Sequence, residues 1–278
     1  MSSVDAGCPD RLRLVADLAA GGESRRRALE VIVHLAPEAR SALIDDTLAG
    51  ALVATLTASQ RSQQRAAADT LATLVETVPP LVAALERALT VPEQRLRWGA
   101  AYTLGHSCAR SAAIWPAVRE AMALEDGDQR WAAAELACLL ARDDPEVRHG
   151  IESAASAPDT TVRKMALYCL RDLAPPVRVE LALGALADGD AGVRLAALAL
   201  IVRVTGREAR RRSAARVAEM VESDPSPGVR RAAAAALGRL GVASPSVLEA
   251  LARAESNPDR SLARAAAAAR RELGGQTV

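Results

Sequence analysis

Apolar positions recur along this chain at helical spacing, and the stretch carrying them recurs as a unit. Gly228-Val229-Arg230-Arg231-Ala232-Ala233 returns as Gly192-Val193-Arg194-Leu195-Ala196-Ala197, and again as Thr161-Val162-Arg163-Lys164-Met165-Ala166. Asp128-Gln129-Arg130-Trp131-Ala132-Ala133 and Arg95-Leu96-Arg97-Trp98-Gly99-Ala100 continue the series, with weaker copies at Gln63 to Ala67 and Asp259 to Arg264. Numbered from the valine-equivalent, the copies begin at 63, 96, 129, 162, 193, 229 and 262, a spacing of 31 to 36 residues. A fixed period in that range marks a stack of repeated supersecondary units.

Within the unit, offset 4 from the valine-equivalent is alanine in every copy (Ala67, Ala100, Ala133, Ala166, Ala197, Ala233, Ala266). Offset 8 is mostly leucine (Leu71, Leu104, Leu170, Leu237), and so is offset 11 (Leu74, Leu140, Leu173, Leu240, Leu273). At about 100° per residue, offsets 0, 4, 8 and 11 share one stripe of a helix. That stripe is the expected core face, and its alanines allow neighbouring helices to approach closely.

A second apolar-periodic stretch precedes most copies: Pro79 to Leu89, Ser111 to Leu124, Pro145 to Ala154, Pro176 to Ala187, Arg207 to Glu222 and Pro245 to Ala254. Proline suits the first turn of a helix, where its missing N–H has no intrahelical partner to lose. Asp126-Gly127-Asp128, Pro158-Asp159-Thr160-Thr161, Asp188-Gly189-Asp190 and Asn257-Pro258-Asp259 then supply turns and caps for the second helix. Each unit reads as an antiparallel pair, a first (A) helix followed by a second (B) helix. The first repeat is divergent, with a Gly21-Gly22 turn. The second has a long opening part from Pro37 to Thr57, which is expected to break at Gly50.

At these residues the chain resembles the short form of the HEAT repeat. The resemblance runs from about residue 9 to 273. It implies an all-α fold, a right-handed α-solenoid of about eight helical hairpins forming one domain over 1–278. The repeats would start near 9, 37, 79, 111, 145, 175, 207 and 245. It also implies that the B helices line a concave groove. It names no activity, because function lies in sites grafted onto such a scaffold.

Composition narrows the picture. Half the chain is hydrophobic, yet it has no Phe and its aromatic content is 2%. The core must therefore be Ala, Leu and Val. No apolar run approaches the ~18 residues of a membrane span, and Met1 to Pro9 has no signal-peptide pattern, so a cytoplasmic location is expected. Cys8, Cys108, Cys138 and Cys169 form no C-x-x-C pair and read as reduced thiols. The net charge is +1, but residues 200–278 hold 14 Arg against 8 acids. The recurrent offset-1 arginines (Arg97, Arg130, Arg163, Arg194, Arg230) are expected to pair with turn acids such as Asp128, Asp159 and Asp190.

The uneven feature is aromatic placement. Four of the five aromatics (Trp98, Tyr102, Trp131, Tyr168) fall at offsets 2 and 6 of three consecutive copies, opposite the core stripe. Arg65, Asp69, His106, Glu135, Lys164 and Asp172 share or flank that face. Trp115 lies on an A stretch, away from it. Aromatics gathered on an open face suit hot spots for a protein or peptide partner, or a cation held between rings and carboxylates. A protein or peptide partner in the groove is the leading expectation, with nucleic acid second, and without membrane, metal or cofactor. Trp131 and Glu135, with Trp98 one repeat earlier, also resemble in part the site of HEAT-like alkylpurine DNA glycosylases, with Glu135 in place of an aspartate. That resemblance implies Glu135 as the residue stabilising positive charge on the sugar. A small-molecule enzyme of a biosynthetic pathway is a third possibility. No His-Glu pairing at His34, His106 or His149 marks a metal site.

Overall fold

A computed structural model describes residues 9–58, 60–173 and 179–275. Seventeen α-helices and two short 3-10 turns make up the regular structure, with no strand among the described residues. They are α1 Arg11–Ala20, α2 Gly22–His34, α3 Pro37–Leu43, α4 Asp46–Ala54, α5 Arg61–Leu74, α6 Pro79–Ala88, α7 Gln94–Gly105 and α8 Trp115–Ala121. Then follow α9 Gly127–Asp143, α10 Pro145–Ala154, α11 Thr160–Asp172, α12 Val179–Ala185, α13 Ala191–Ile201, α14 Arg207–Ser223, α15 Pro227–Leu240, α16 Pro245–Glu255 and α17 Arg260–Gly275. The fold is the all-α stack of helical hairpins that the periodicity and the HEAT resemblance implied. None of the described helices is long and apolar enough to cross a membrane.

The helices gather into two compact units, Met1–Ala121 and Met122–Val278. The fourth repeat contributes its A helix, α8, to the first unit and its B helix, α9, to the second. In the second unit α9, α11, α13, α15 and α17 pack each on the next, and α10, α12, α14 and α16 pack alongside them as hairpin partners. The offset-4 alanines are fully buried, from Ala67 to Ala266. Leu71, Leu104, Leu170, Ile201 and Leu237 are buried with them. Most of the stabilisation of such a stack comes from burying this stripe between successive hairpins, since one hairpin alone cannot cover it.

Caps fall where the turn residues predicted. Asp126, Asp159, Asp190 and Ser226 each accept backbone N–H groups in the first turn of their B helices, and Asp259 does the same for α17. Two details differ from expectation. The opening part of the second repeat breaks at Ile44-Asp45, not at Gly50, which lies inside α4. Asp45 makes the break, because its carboxylate caps α4 at Leu48 N (3.0 Å) and binds Arg11 (2.7 Å). In α5 the core position is Gln64 and not Gln63, and its buried amide donates to the Leu56 and Arg95 carbonyls (2.7 and 3.2 Å). Pro176, the expected opening of the sixth repeat, lies outside the described residues.

The offset-1 arginines do form a ladder, with different acids from those expected. Each reaches back to two carbonyls of its own A–B turn: Arg97 to Val91 and Pro92, Arg130 to Leu124 and Glu125, Arg163 to Ala157 and Pro158, Arg194 to Asp188 and Gly189. Arg230 does the same at Asp224 and Pro225. Three then bridge forward with the Nε–Nη2 edge, bidentately, Arg97 to Glu120, Arg163 to Asp188 and Arg194 to Asp224. The expected acids Asp159 and Asp190 are occupied with backbone N–H groups at the helix starts. The forward acids close the next repeat's A helix, so each bridge joins one hairpin to the next.

Candidate functional site

The predicted face residues form one ring cluster in each unit, built on the same diagonal. In the first unit the offset-2 residue of α5, Arg65, lies over the offset-6 ring of α7, Tyr102, at 5.1 Å. In the second unit the offset-2 residue of α9, Trp131, stacks on the offset-6 ring of α11, Tyr168, with centroids 5.3 Å apart and planes at 33°. Neighbouring B helices thus touch across this face in the same register.

The two clusters differ in exposure. Trp98 and Tyr102 are each only 6% accessible, which corrects the expectation that both rings stand open. Trp98 meets Tyr102 edge-on (5.6 Å, 68°), and Tyr102 stacks on His106 (4.2 Å). His106 is exposed, but its Nδ1–H donates to the Tyr102 carbonyl (2.9 Å). All eight residues from Trp98 to Gly105 are buried. The physical reason is local. Besides its neighbours α5, α6 and α8, α7 also packs against α4 and the 3-10 turn at 55–57. Gly99 permits this approach: a methyl group there would sit 2.8 Å from Leu56 Cβ. Arg65 and Asp69 are exposed on α5.

In the second unit Trp131 is 46% accessible. Tyr168 is half-buried, and the Arg171 guanidinium lies over its ring at 5.1 Å from the centre. Arg171 is itself held by both oxygens of Asp172 (2.7 and 2.8 Å). Glu135, one turn beyond Trp131, is exposed. Lys164 is half-buried, with its stem along the start of α13: its Cδ is 3.5 Å from where a Gly192 Cβ would be. The next B helix adds exposed Leu195 at offset 2. The arrangement offers an open indole, a tyrosine in contact with that indole and with a guanidinium, and flanking carboxylates.

Behind this face, Cys138 of α9 and Cys169 of α11 contact across the helix pair. Cys138 Sγ lies 3.7 Å from the Cys169 carbonyl, and Cys169 Sγ lies 3.5 Å from the Ala134 carbonyl. The neighbouring Cys169 thiol, against the cost of burial, holds the Cys138 thiol below its ordinary pKa. The Cys138 thiol and burial push Cys169 well up. Both are free thiols, as is exposed Cys108. Trp115 is half-buried at the start of α8. No group of His, Cys, Asp and Glu among the described residues could hold a metal ion.

No family model matches the chain, and no curated protein does. Among solved structures it is similar to an engineered protein of a structural genomics consortium, at 20% identity and TM-score 0.46, over 94% of this chain and 77% of that one. It is similar to a designed armadillo repeat protein in complex with the peptide (KR)4, at 13% identity and TM-score 0.43, over 81% of this chain and 98% of that one. It is also similar to a chain of the Kap95p complex with RanGDP, at 13% identity and TM-score 0.47, over 96% of this chain and about half (48%) of that one. At this level of similarity the reading of the fold rests on the helices themselves.

Proposed function

We propose that this protein is a binding scaffold that holds a protein or peptide segment on the exposed B-helix face around Trp131 and Tyr168. The supporting observation is Trp131: a large ring left 46% accessible in a chain whose aromatic content is 2%. Indole and phenol groups on a rigid surface are the side chains most often found as interface anchors, and both stand here on long, packed helices that need no ordering on binding. The alkylpurine-glycosylase reading draws no support from Trp98, because that ring is buried against Tyr102 and not open to a base.

The test uses the full chain and affinity capture from a native extract, with Trp131→Ala/Tyr168→Ala beside the wild type. The expected result is a partner retained by wild type and by Trp98→Phe, and lost by the double variant at unchanged melting temperature. Equal capture by the double variant and the wild type would remove this face from the account. Release of a base from alkylated DNA, lost in Glu135→Gln, would replace the scaffold reading with catalysis.

A further inference from the structure

The B-helix face of the second unit changes character along the stack, and the change specifies the partner. At offset 2 the successive residues are Trp131, Lys164, Leu195, Arg231 and Arg264, and at offset 6 they are Glu135, Tyr168, Ala199, Ala235 and Ala268. Rings and carboxylates stand on α9 and α11. Over α15 and α17 the face is arginine above an alanine floor, and Arg231, Arg239, Arg264 and Arg271 are all exposed there.

None of these four arginines has a carboxylate partner among the described residues, although Arg264 Nε–H donates to the Arg260 carbonyl (3.3 Å). On the A helices of the same unit Arg212, Arg216 and Arg253 are tied to Glu180, Glu219 and Glu222, while exposed Arg207, Arg210 and Arg211 at the start of α14 make no ion pair among the described residues. The ladder arginines Arg163 and Arg194 are tied to Asp188 and Asp224. Arg231, Arg239, Arg264 and Arg271 make no ion pair among the described residues. Asp259 feels the charge of Arg231, but its carboxylate is committed to the backbone N–H groups of Ser261 and Leu262. Glu272 is the acid that α17 brings to this region, and it lies over Gly238. What distinguishes the B-helix face is that exposed Arg231 and Arg264 stand at the same offset on successive B helices, without a carboxylate partner among the described residues.

We infer that the second unit binds an extended peptide segment with an apolar or aromatic anchor on Trp131 and Tyr168 and acidic residues over the arginines of α15 and α17. This rests on the scaffold reading above and adds the chemistry and direction of the partner. Packed helices lie about 9 Å apart, and an extended chain advances about 3.3 Å per residue. One repeat therefore spans about three residues. Arg231 and Arg264 stand two and three repeats beyond Tyr168, so acids about six and about nine residues from a side chain seated at Tyr168 would reach them. The alanines at offset 6 let the backbone come close.

A nucleic-acid strand fits this face poorly. Its charge is uniform, so its phosphates would have to pass the exposed carboxylates Glu135 and Asp172 beside the rings. A peptide carries acids only where its sequence puts them. Guanidinium–carboxylate pairs also suit the fixed fork of arginine better than a point cation would.

The experiment measures fluorescence anisotropy of three labelled probes on the full-length protein at low salt. The first is a peptide of about twelve residues, long enough for the span above, with a leading tryptophan and glutamates at the two spaced positions. The second has those glutamates replaced by glutamine, and the third is an oligothymidylate of similar length. The acidic peptide is expected to bind, about tenfold or more weaker with Arg231→Gln/Arg264→Gln, weaker again with Trp131→Ala, and weaker as salt rises. Circular dichroism melts confirm that each variant is folded. Equal binding of the glutamine peptide would overturn the charge assignment while leaving the anchor face intact. Tighter binding of the oligothymidylate would overturn the peptide in favour of nucleic acid. No binding of either peptide would overturn the inference, while the capture experiment on Trp131 and Tyr168 would still decide the scaffold reading by itself.

Discussion

The two ring clusters are built on one diagonal and end in opposite states. Arg65 over Tyr102 in the first unit and Trp131 over Tyr168 in the second occupy the same pair of offsets on neighbouring B helices. Yet Tyr102 and Trp98 are buried, while Trp131 stays open. The repeat position alone therefore does not decide whether a ring binds or packs. What decides it is the neighbouring chain. The divergent second repeat brings α4 and the turn at 55–57 onto α7, and Gly99 lets them settle there. Ala132 of α9 and Met165 of α11 hold the corresponding positions in the second unit. The same aromatic pattern yields core in one unit and surface in the other.

The largest effect that could break this comparison is on stability. Trp98→Ala is expected to cost about 3–5 kcal/mol, as for a large buried aromatic, whereas Trp131→Ala stays within about 1 kcal/mol. Urea unfolding of the two variants checks it, and equal losses would mean that the rings are equivalent. Arg194→Ala should cost about 3–5 kcal/mol in the second unit, because it leaves the buried Asp224 carboxylate without its cation. Arg212→Ala, whose ion pair with Glu180 is exposed, should cost under about 1 kcal/mol in the same assay.

Gly99→Ala sharpens the comparison from the other side. The added methyl would meet the buried Leu56, and a loss of about 1–3 kcal/mol is expected. Gly184→Ala, where a methyl meets nothing, should be neutral or slightly stabilising in the same measurement.

Acid titration gives a smaller and more selective signal. The hydrogen bond from Arg163 holds Asp188 below the ordinary carboxylate pKa. Burial pushes Asp224 up, but the bonds from Arg194 and from Ser226 N–H outweigh it, so Asp224 also lies low. A carboxyl depressed on folding contributes stability that is fully present above its unfolded pKa and is lost as pH falls through the lower folded value. The second unit should therefore lose stability as pH drops below the ordinary aspartate range. Asp188→Asn/Asp224→Asn should flatten that acid limb in thermal melts taken across pH, at a cost in stability near neutrality. The smallest effect concerns the thiols. Exposed Cys108 should react with a thiol reagent before Cys138, and Cys169 should react only on unfolding, as time-resolved labelling of the native protein would show.

The sequence by itself determined the hairpin repeat, the core stripe, the capping residues and the aromatic face. The repeat shows in the recurrence of one motif every 31 to 36 residues, and the rest depend on spacing within about twelve residues, where helical geometry leaves little choice. The unassigned arginines of α15 and α17 were visible there only as a basic C-terminal third. Their significance needed the exposure of each side chain and its ion pairs to be known. Tertiary structure alone decided which acid each ladder arginine takes, since the acids that close the next repeat's A helix stand 23 to 30 residues away. It alone decided that Trp98 is core and Trp131 is surface. The exposure of a side chain is set by the element packed against it from elsewhere in the chain, and an offset within a repeat carries no information about that neighbour.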